Sequence, residues 1–236
     1  MEESRIGVET IPQSSSYSNR RFGSFFFGGG LAPLAALLPF LAFLLVVNRG
    51  IDFGVHWDEP GNIIAPVALS FQHGFTLLPE DYSYPGVVYW LPLAGLTPEV
   101  TRAIVSGKRT PDSLKDELLP VLKGQAFLLR LRRIFAFVTA LTVLWIYFAV
   151  LVWGRSWREA MCAAFFFAFS WEVVYHARWA APDGILMQFG ALAFLLLSLA
   201  WRTDSRWPLF LAAVAAGFGC GSKYPGALLV LSLIHI

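Results

Sequence analysis

Arg133–Trp153 reads RIFAFVTALTVLWIYFAVLVW, and after its opening arginine the next twenty residues carry no charge. A helix needs about 20 apolar residues to cross a bilayer. Four more apolar runs flank this one: FFFGGGLAPLAALLPFLAFLLVV at 25–47, AMCAAFFFAFSWEVVY at 160–175, GILMQFGALAFLLLSLAW at 184–201, and 208–230. The last is interrupted by Ser222-Lys223-Tyr224-Pro225. The expectation is an all-α integral membrane protein, a polytopic helix bundle with about five spans.

Composition agrees. The 236 residues are 56% hydrophobic, 16% aromatic and 14% charged, whereas soluble domains carry roughly 25% charged residues. A soluble fold of this size cannot hide that much apolar surface. The net charge of +2, with no basic aromatic-studded surface, sets nucleic acid aside. Cys162 and Cys220 lie apart inside apolar runs, as small core residues do.

Residues 1–22 are polar and Ser-rich and read as a disordered cytoplasmic tail. The run at 25–47 is too long for a signal-peptide core and lacks a small-x-small cleavage pattern, so it reads as a retained first span. Arg20 and Arg21 before it place the N-terminus inside. The short turns 154–159 and 202–207 then lie inside, each with two arginines, and the loop 48–126 and the turn 176–183 lie outside. Arg130, Arg132 and Arg133 run against this topology, because they crowd the outer end of the second span. Anionic lipid headgroups would give them work there. The last six residues, LSLIHI at 231–236, resemble the translated end of a transposon-type sequencing adapter, so the natural sequence is expected to depart from this one after Val230.

Four stretches carry residues capable of chemistry. GVHWDEPGN at 54–62 sets Asp58 beside Glu59, just past the first span. Pro60 suits the first position of a helix, and an acid before it suits a cap. Ile63, Ile64, Val67, Ala68 and Phe71 recur at helical spacing, with a kink or late start at Pro66 and a stop at His73-Gly74. This predicts a short amphipathic juxtamembrane helix, with the acids serving either as caps or as reacting groups. In FTLLPEDYSYPGVVYWLPL, 75–93, Tyr82, Tyr84, Tyr89 and Trp90 form either an interfacial aromatic belt or a platform for a sugar or isoprenoid. In WEVVYHARWAAPDG, 171–184, Glu172 and His176 share a helix face, and Arg178 and Asp183 follow at the mouth of the next span. Ionisable residues at a span end either snorkel to water or mark a site. In GFGCGSKYPG, 217–226, Gly217 and Gly221 form a small-xxx-small pair suited to close helix packing, and Lys223 breaks an apolar run. Gly28-Gly29-Gly30 has no Lys-Ser/Thr after it, so it is no P-loop, and the histidines form no i, i+4 metal pair.

The pieces HWDEPGNI, DYSYPGVVYWL, LRRIFAF, HARWAAPDGIL and GCGSKYPGALL, in this order from about 54 to 229, resemble the C-type (GT-C) membrane glycosyltransferases. The nearest subgroup is the phospholipid carrier-dependent enzymes, the protein O-mannosyltransferases and aminoarabinose transferases. The resemblance implies transfer of a sugar from a dolichyl- or undecaprenyl-phosphate donor to a protein, lipid or glycan acceptor on the outer or lumenal face. It makes Asp58 and Glu59 the catalytic first-loop acids and Asp183 a second outer acid. Arg178, Lys223 and Arg133 would meet the donor phosphate, and Tyr84, Tyr89 and Trp90 the sugar or lipid. Members differ in whether they bind a divalent cation, and this sequence offers no clear metal ligand set. The protein would be a multi-pass protein of the plasma or inner membrane in a prokaryote, or of the endoplasmic reticulum in a eukaryote. The family has more spans than this chain, so its donor site extends past the residues present. The competing classes are a non-catalytic membrane scaffold, in which Asp58 is replaceable, and a secondary transporter. A transporter would put polar residues near the midplane in repeated broken helices, whereas here they gather at the outer ends.

Overall fold

The computed structural model describes residues 32–73, 83–154 and 156–234, and every regular element among them is helical. The tail 1–22, the start of the first apolar run at 25–31, and Tyr82 lie outside the described residues.

Apolar helices form the frame: α1 (Ala32–Ala35) and α2 (Leu37–Asn48), then after residues 49–124 the long α7 (Gln125–Gly154), α8 (Trp157–Ala168), α9 (Trp171–Ala177), α10 (Pro182–Thr203), α11 (Arg206–Cys220) and α12 (Ala227–Ile234). α7 and α10 are each long and apolar enough to cross a membrane. α8 and α9 together make a third candidate, bent by 59° at the break between them. Ala32–Asn48 and α11 are shorter apolar helices. The chain is thus a helical membrane protein. The expected second span grows at its N-terminal end, because the helix begins at Gln125 and takes Arg130, Arg132 and Arg133 into its first turns.

Small residues let these helices close up. Ala160, Ala164 and Ala168 recur every fourth position on α8 and are fully buried, in one cluster with Ala136 and Ala140 of α7 and Phe43 and Val47 of α2. At Gly184 of α10 an added Cβ would run into the Thr139 hydroxyl of α7. Large apolar side chains such as Leu45, Phe137, Phe166 and Phe194 point outward instead. That is the pattern of helices whose solvent is lipid.

The segment 49–124 folds into a π-helical turn (Glu59–Ile64) continuing as α3 (Ala65–Gln72), then α4 (Val87–Gly95), α5 (Thr97–Val105) and α6 (Pro111–Leu122). Pro66 lies in the first turn of α3, where proline is tolerated, and the α-helix starts only there, after the π-helical turn. Ile63, Val67 and Phe71 turn inward, into one buried cluster with Val88 and Tyr89 of α4 and Leu118 and Leu122 of α6. Thr110 caps α6 reciprocally with Ser113.

The Gly217–Gly221 packing pair is corrected. A Cβ at Gly217 would meet nothing within 4 Å. The close approaches are at Gly221, 2.9 Å from Val87 Cγ2, and at Gly226, 2.5 Å from the Gly219 carbonyl. Gly226→Ala is therefore expected to destabilise the protein by about 1–3 kcal/mol. Gly217→Ala should leave its melting in detergent unchanged or slightly raised.

Candidate active site

The site grows from the turn after α2. Gly54 has φ +103, a conformation glycine adopts freely, and the carbonyls of Ile51 and Gly54 both accept from Arg132. Arg132 is wholly buried on α7. Its Nε donates to Glu59 Oε1 at 2.8 Å, its Nη2 to Glu59 Oε2 at 2.6 Å, and its Nη1 to Ile51 O at 2.7 Å. The guanidinium carbon sits 4.3 Å over the Phe53 ring. Glu59 also accepts the backbone N–H groups of His56 and Ala180, each at 3.0 Å. A carboxylate offers about four lone-pair directions, and Glu59 has these four partners. It ties the 51–59 turn, α7 and the segment before α10 together.

Asp58 is placed differently. It too is buried, but its side chain makes no capping bond to the helix backbone. The capping reading of Asp58 is therefore corrected. Its Oδ2 accepts the Tyr84 hydroxyl at 2.8 Å, and its Oδ1 accepts the Asn62 side-chain amide. Its backbone N–H donates to His56 Nδ1 at 3.3 Å. Among the described residues each oxygen has one donor, which leaves acceptor capacity on both. Burial, reinforced by the hydrogen bond to Asp58 and the charges of Asp58 and Asp183, pushes the Tyr84 hydroxyl far above its ordinary value. Tyr84 thus stays protonated and donates at any working pH.

Asp183 lies in the first turn of α10, behind Pro182 at N1. Lys223 Nζ donates to its Oδ1 at 2.6 Å, and both side chains are about one-third exposed. The backbone delivers Lys223 here through Val87 N–H donating to Gly221 O at 2.9 Å. The Asp58–Tyr84 pair and the Asp183–Lys223 pair are thus drawn from four separate stretches, and the Val87–Gly221 bond joins the stretch that carries Tyr84 to the stretch that carries Lys223.

Other expected residues fall elsewhere. Tyr89 is buried and accepts the Tyr84 backbone N–H at 3.2 Å. Trp90 is exposed, edge-on to Phe218. Glu172 and His176 meet at 3.4 Å, as their spacing predicts. Arg178 Nη2 lies 3.4 Å from Val46 O of α2. Of the three arginines at the start of α7, Arg130 pairs with Glu99 at 2.6 Å and with Gly95 O, and it holds the Glu99 carboxyl below the usual carboxylate range. Arg133 is exposed with no ion pair among the described residues. Reading the sequence passed over Asn62 and Trp179, and took His56 only as a weak metal hint beside Asp58. Asn62 stands four after Asp58 on a helical turn, a signal that could have found it. The stacking of His56 on Trp179, ring centroids 3.9 Å apart, joins residues too far apart in sequence to be foreseen. Among the described residues no group of three or more His, Cys, Asp and Glu could hold a metal ion.

Residues 121–236 match the family model of dolichyl-phosphate-mannose-protein mannosyltransferase. No curated protein and no solved structure matches the chain. The family match agrees with the GT-C resemblance and, at family level, supports a membrane glycosyltransferase with a lipid-linked donor. It takes in Arg133, Arg178, Asp183 and Lys223. Asp58, Glu59 and Tyr84 precede it.

Removing one partner of the Glu59–Arg132 pair leaves a buried charge alone. Glu59→Ala and Arg132→Met are each expected to destabilise the protein by about 3–5 kcal/mol, read as a large fall in melting temperature in detergent. Asp58→Asn should melt close to the parent.

Proposed function

We propose that this protein transfers a sugar from a polyprenyl-phosphate donor to a hydroxyl on a protein, lipid or glycan acceptor, at the outer or lumenal surface of its membrane. The observation that carries the reading is the state of Asp58. It is a buried carboxylate that caps nothing and is oriented at both oxygens by Tyr84 and Asn62, and the stretch that carries Tyr84 is joined by the Val87–Gly221 bond to the stretch that carries Lys223, the partner of Asp183.

The chemistry follows from that arrangement. A lipid-linked sugar fixes its phosphate at headgroup level, so reacting groups must gather at the membrane surface. The acceptor oxygen bonds to the anomeric carbon as the bond from that carbon to the phosphate oxygen breaks. The acceptor's proton passes to Asp58, and the electron pair of the broken bond leaves on the polyprenyl phosphate. A carboxylate within hydrogen-bond reach accelerates such a proton transfer by about 10²–10⁴. Fixed cations stabilise the charge gathering on the leaving phosphate, and Lys223, Arg178 and Arg133 are the candidates. Glu59, with its acceptor sites filled by Arg132, His56 and Ala180, holds the frame rather than the substrate. Tyr84 acts through Asp58, so its place is positioning.

Turnover with a polyprenyl-phosphate mannose, measured in vesicles with the protein as its gene encodes it, tests the reading. Asp58→Asn should lower kcat by about 10²–10⁴ with insertion and melting intact. Tyr84→Phe should lower it by about tenfold or more, the worth of one hydrogen bond to a charged group. Undiminished turnover in Asp58→Asn would leave a binding or scaffold role as the better account.

A further inference from the structure

The turn that carries Asp58 is closed by a histidine. His56 Nδ1 accepts the Asp58 backbone N–H at 3.3 Å, and the His56 backbone N–H donates to Glu59 Oε2 at 3.0 Å. The His56 carbonyl accepts the Glu59 N–H at 3.1 Å. This is the reciprocal pattern of a capping box: a side chain accepts from a first-turn N–H, and the acid three residues on reaches back to the N–H of the capping residue. Ser, Thr, Asn and Asp are the usual caps. A histidine in that place differs from them in one respect. It changes charge between roughly pH 5 and 8, and its acceptor nitrogen is then lost.

The bond selects a tautomer. A backbone N–H can only donate, so Nδ1 presents its lone pair and the neutral ring carries its proton on Nε2. A proton on Nδ1 would set two donors against each other. The ring is held by its stack on Trp179, with centroids 3.9 Å and planes 11° apart, and the Trp57 ring lies 5.6 Å away. Charged groups approach from several sides. Asp58 and Glu59 follow on the turn itself, Tyr84 is bound to Asp58, and the charge of Asp183 reaches that Tyr84. Arg132 of α7 meets the turn at Glu59 and at the Gly54 carbonyl. On the Trp179 side stand Arg178, its neighbour in the chain, and His176 of α9, 5.9 Å from the Trp179 ring and 3.4 Å from Glu172. Among the described residues the His56 imidazole has no ion pair with any of these.

We propose that His56 is a positioning residue for the proposed reaction. In its neutral Nε2–H form it fixes the backbone of Asp58, and with it the direction of the carboxylate that Tyr84 and Asn62 hold. Protonated, it releases that backbone, and turnover falls as pH drops. This role rests on Asp58 as the acceptor's base, and it sets the pH range in which that base is in place.

Two substitutions separate the ring from its nitrogen. His56→Phe keeps a ring to stack on Trp179 and removes the acceptor. His56→Asn gives up the ring but puts its amide oxygen on the atom that corresponds to Nδ1, with no proton to gain. Turnover is measured in vesicles with polyprenyl-phosphate mannose and the protein as its gene encodes it. At neutral pH His56→Phe should lower kcat by about fivefold, the worth of one neutral hydrogen bond, and His56→Asn should recover most of that loss. The parent's kcat should fall with acid inside the histidine range, and in His56→Asn that fall should move to lower pH. A spectroscopic readout needs no turnover. In protein carrying ¹⁵N-histidine, the His56 resonances, identified by their absence from His56→Asn, should show Nδ1 unprotonated at neutral pH. An Nδ1–H tautomer overturns the role, as does parent-like kcat in His56→Phe or an equal loss in both variants. Unprotonated Nδ1 alongside full turnover in Asp58→Asn keeps the His56 bond and removes the reaction built on Asp58. Parent-like turnover in His56→Phe alongside a dead Asp58→Asn does the reverse.

Discussion

The Glu59–Arg132 ion pair holds the end of this molecule that carries the 51–59 turn in register. Both side chains are fully buried, and desolvating two charges costs several kcal/mol each unless geometry and further hydrogen bonds compensate. Here they do so. The guanidinium reaches a carboxylate with two nitrogens, two backbone carbonyls and an aromatic face, and the carboxylate takes two backbone N–H groups besides. Such a pair adds little or no net stability over a hydrophobic isostere, but it tolerates no partial version. Its contribution is register. The 51–59 turn, α7 and the segment before α10 are 73 and 121 residues apart in the bonds that join them, and those bonds fix them together.

That register settles how the outer charges are distributed. Three arginines at the start of α7 conflict with a simple inside-positive pattern if each counts as a free charge. Arg132 is neutralised by Glu59 and Arg130 by Glu99, both acids of the 49–124 segment. Only Arg133 stays exposed and unpaired among the described residues. The loop and the helix end therefore balance each other's charge. The same accounting isolates Arg178, a half-buried cation with a single carbonyl contact.

The apolar frame was legible in the sequence because lipid imposes long uncharged runs, and α7 and α10 follow them closely. The break at Phe169–Ser170 and the early start of α7 were not; α7 takes in Arg130 and Arg132 where acids of the distant 49–124 segment, Glu99 and Glu59, meet them. The local signal that was read, the spacing of Glu172 and His176, is met, while the Thr110–Ser113 box and the four-residue step from Asp58 to Asn62 carried local signals that the sequence reading did not use. Burial inside the 49–124 segment was not readable. Tyr89 and Trp90 are neighbours of like chemistry, yet one is 1% exposed and the other 54%, a difference set by which face α4 turns toward α3 and α7.

The adjacency of Asp58 and Glu59 invites reading them as a reacting dyad, and helical geometry argues against it. Both residues have helical backbone angles or lie in the turn that follows, and successive side chains on such a turn point about 100° apart. Two neighbours therefore cannot face one substrate from one direction unless the backbone bends to allow it. Here one carboxylate is spent against α7, and the other, held by the first through a single peptide unit, turns toward Tyr84 and Asn62. A carboxylate fixed in this way needs no reorganisation when a proton arrives, which is the condition under which a buried acid is most useful to a reaction. The acid pair is thus one anchor and one carboxylate held by two side-chain donors, Tyr84 and Asn62. The anchor reaches the segment before α10 through the Ala180 N–H.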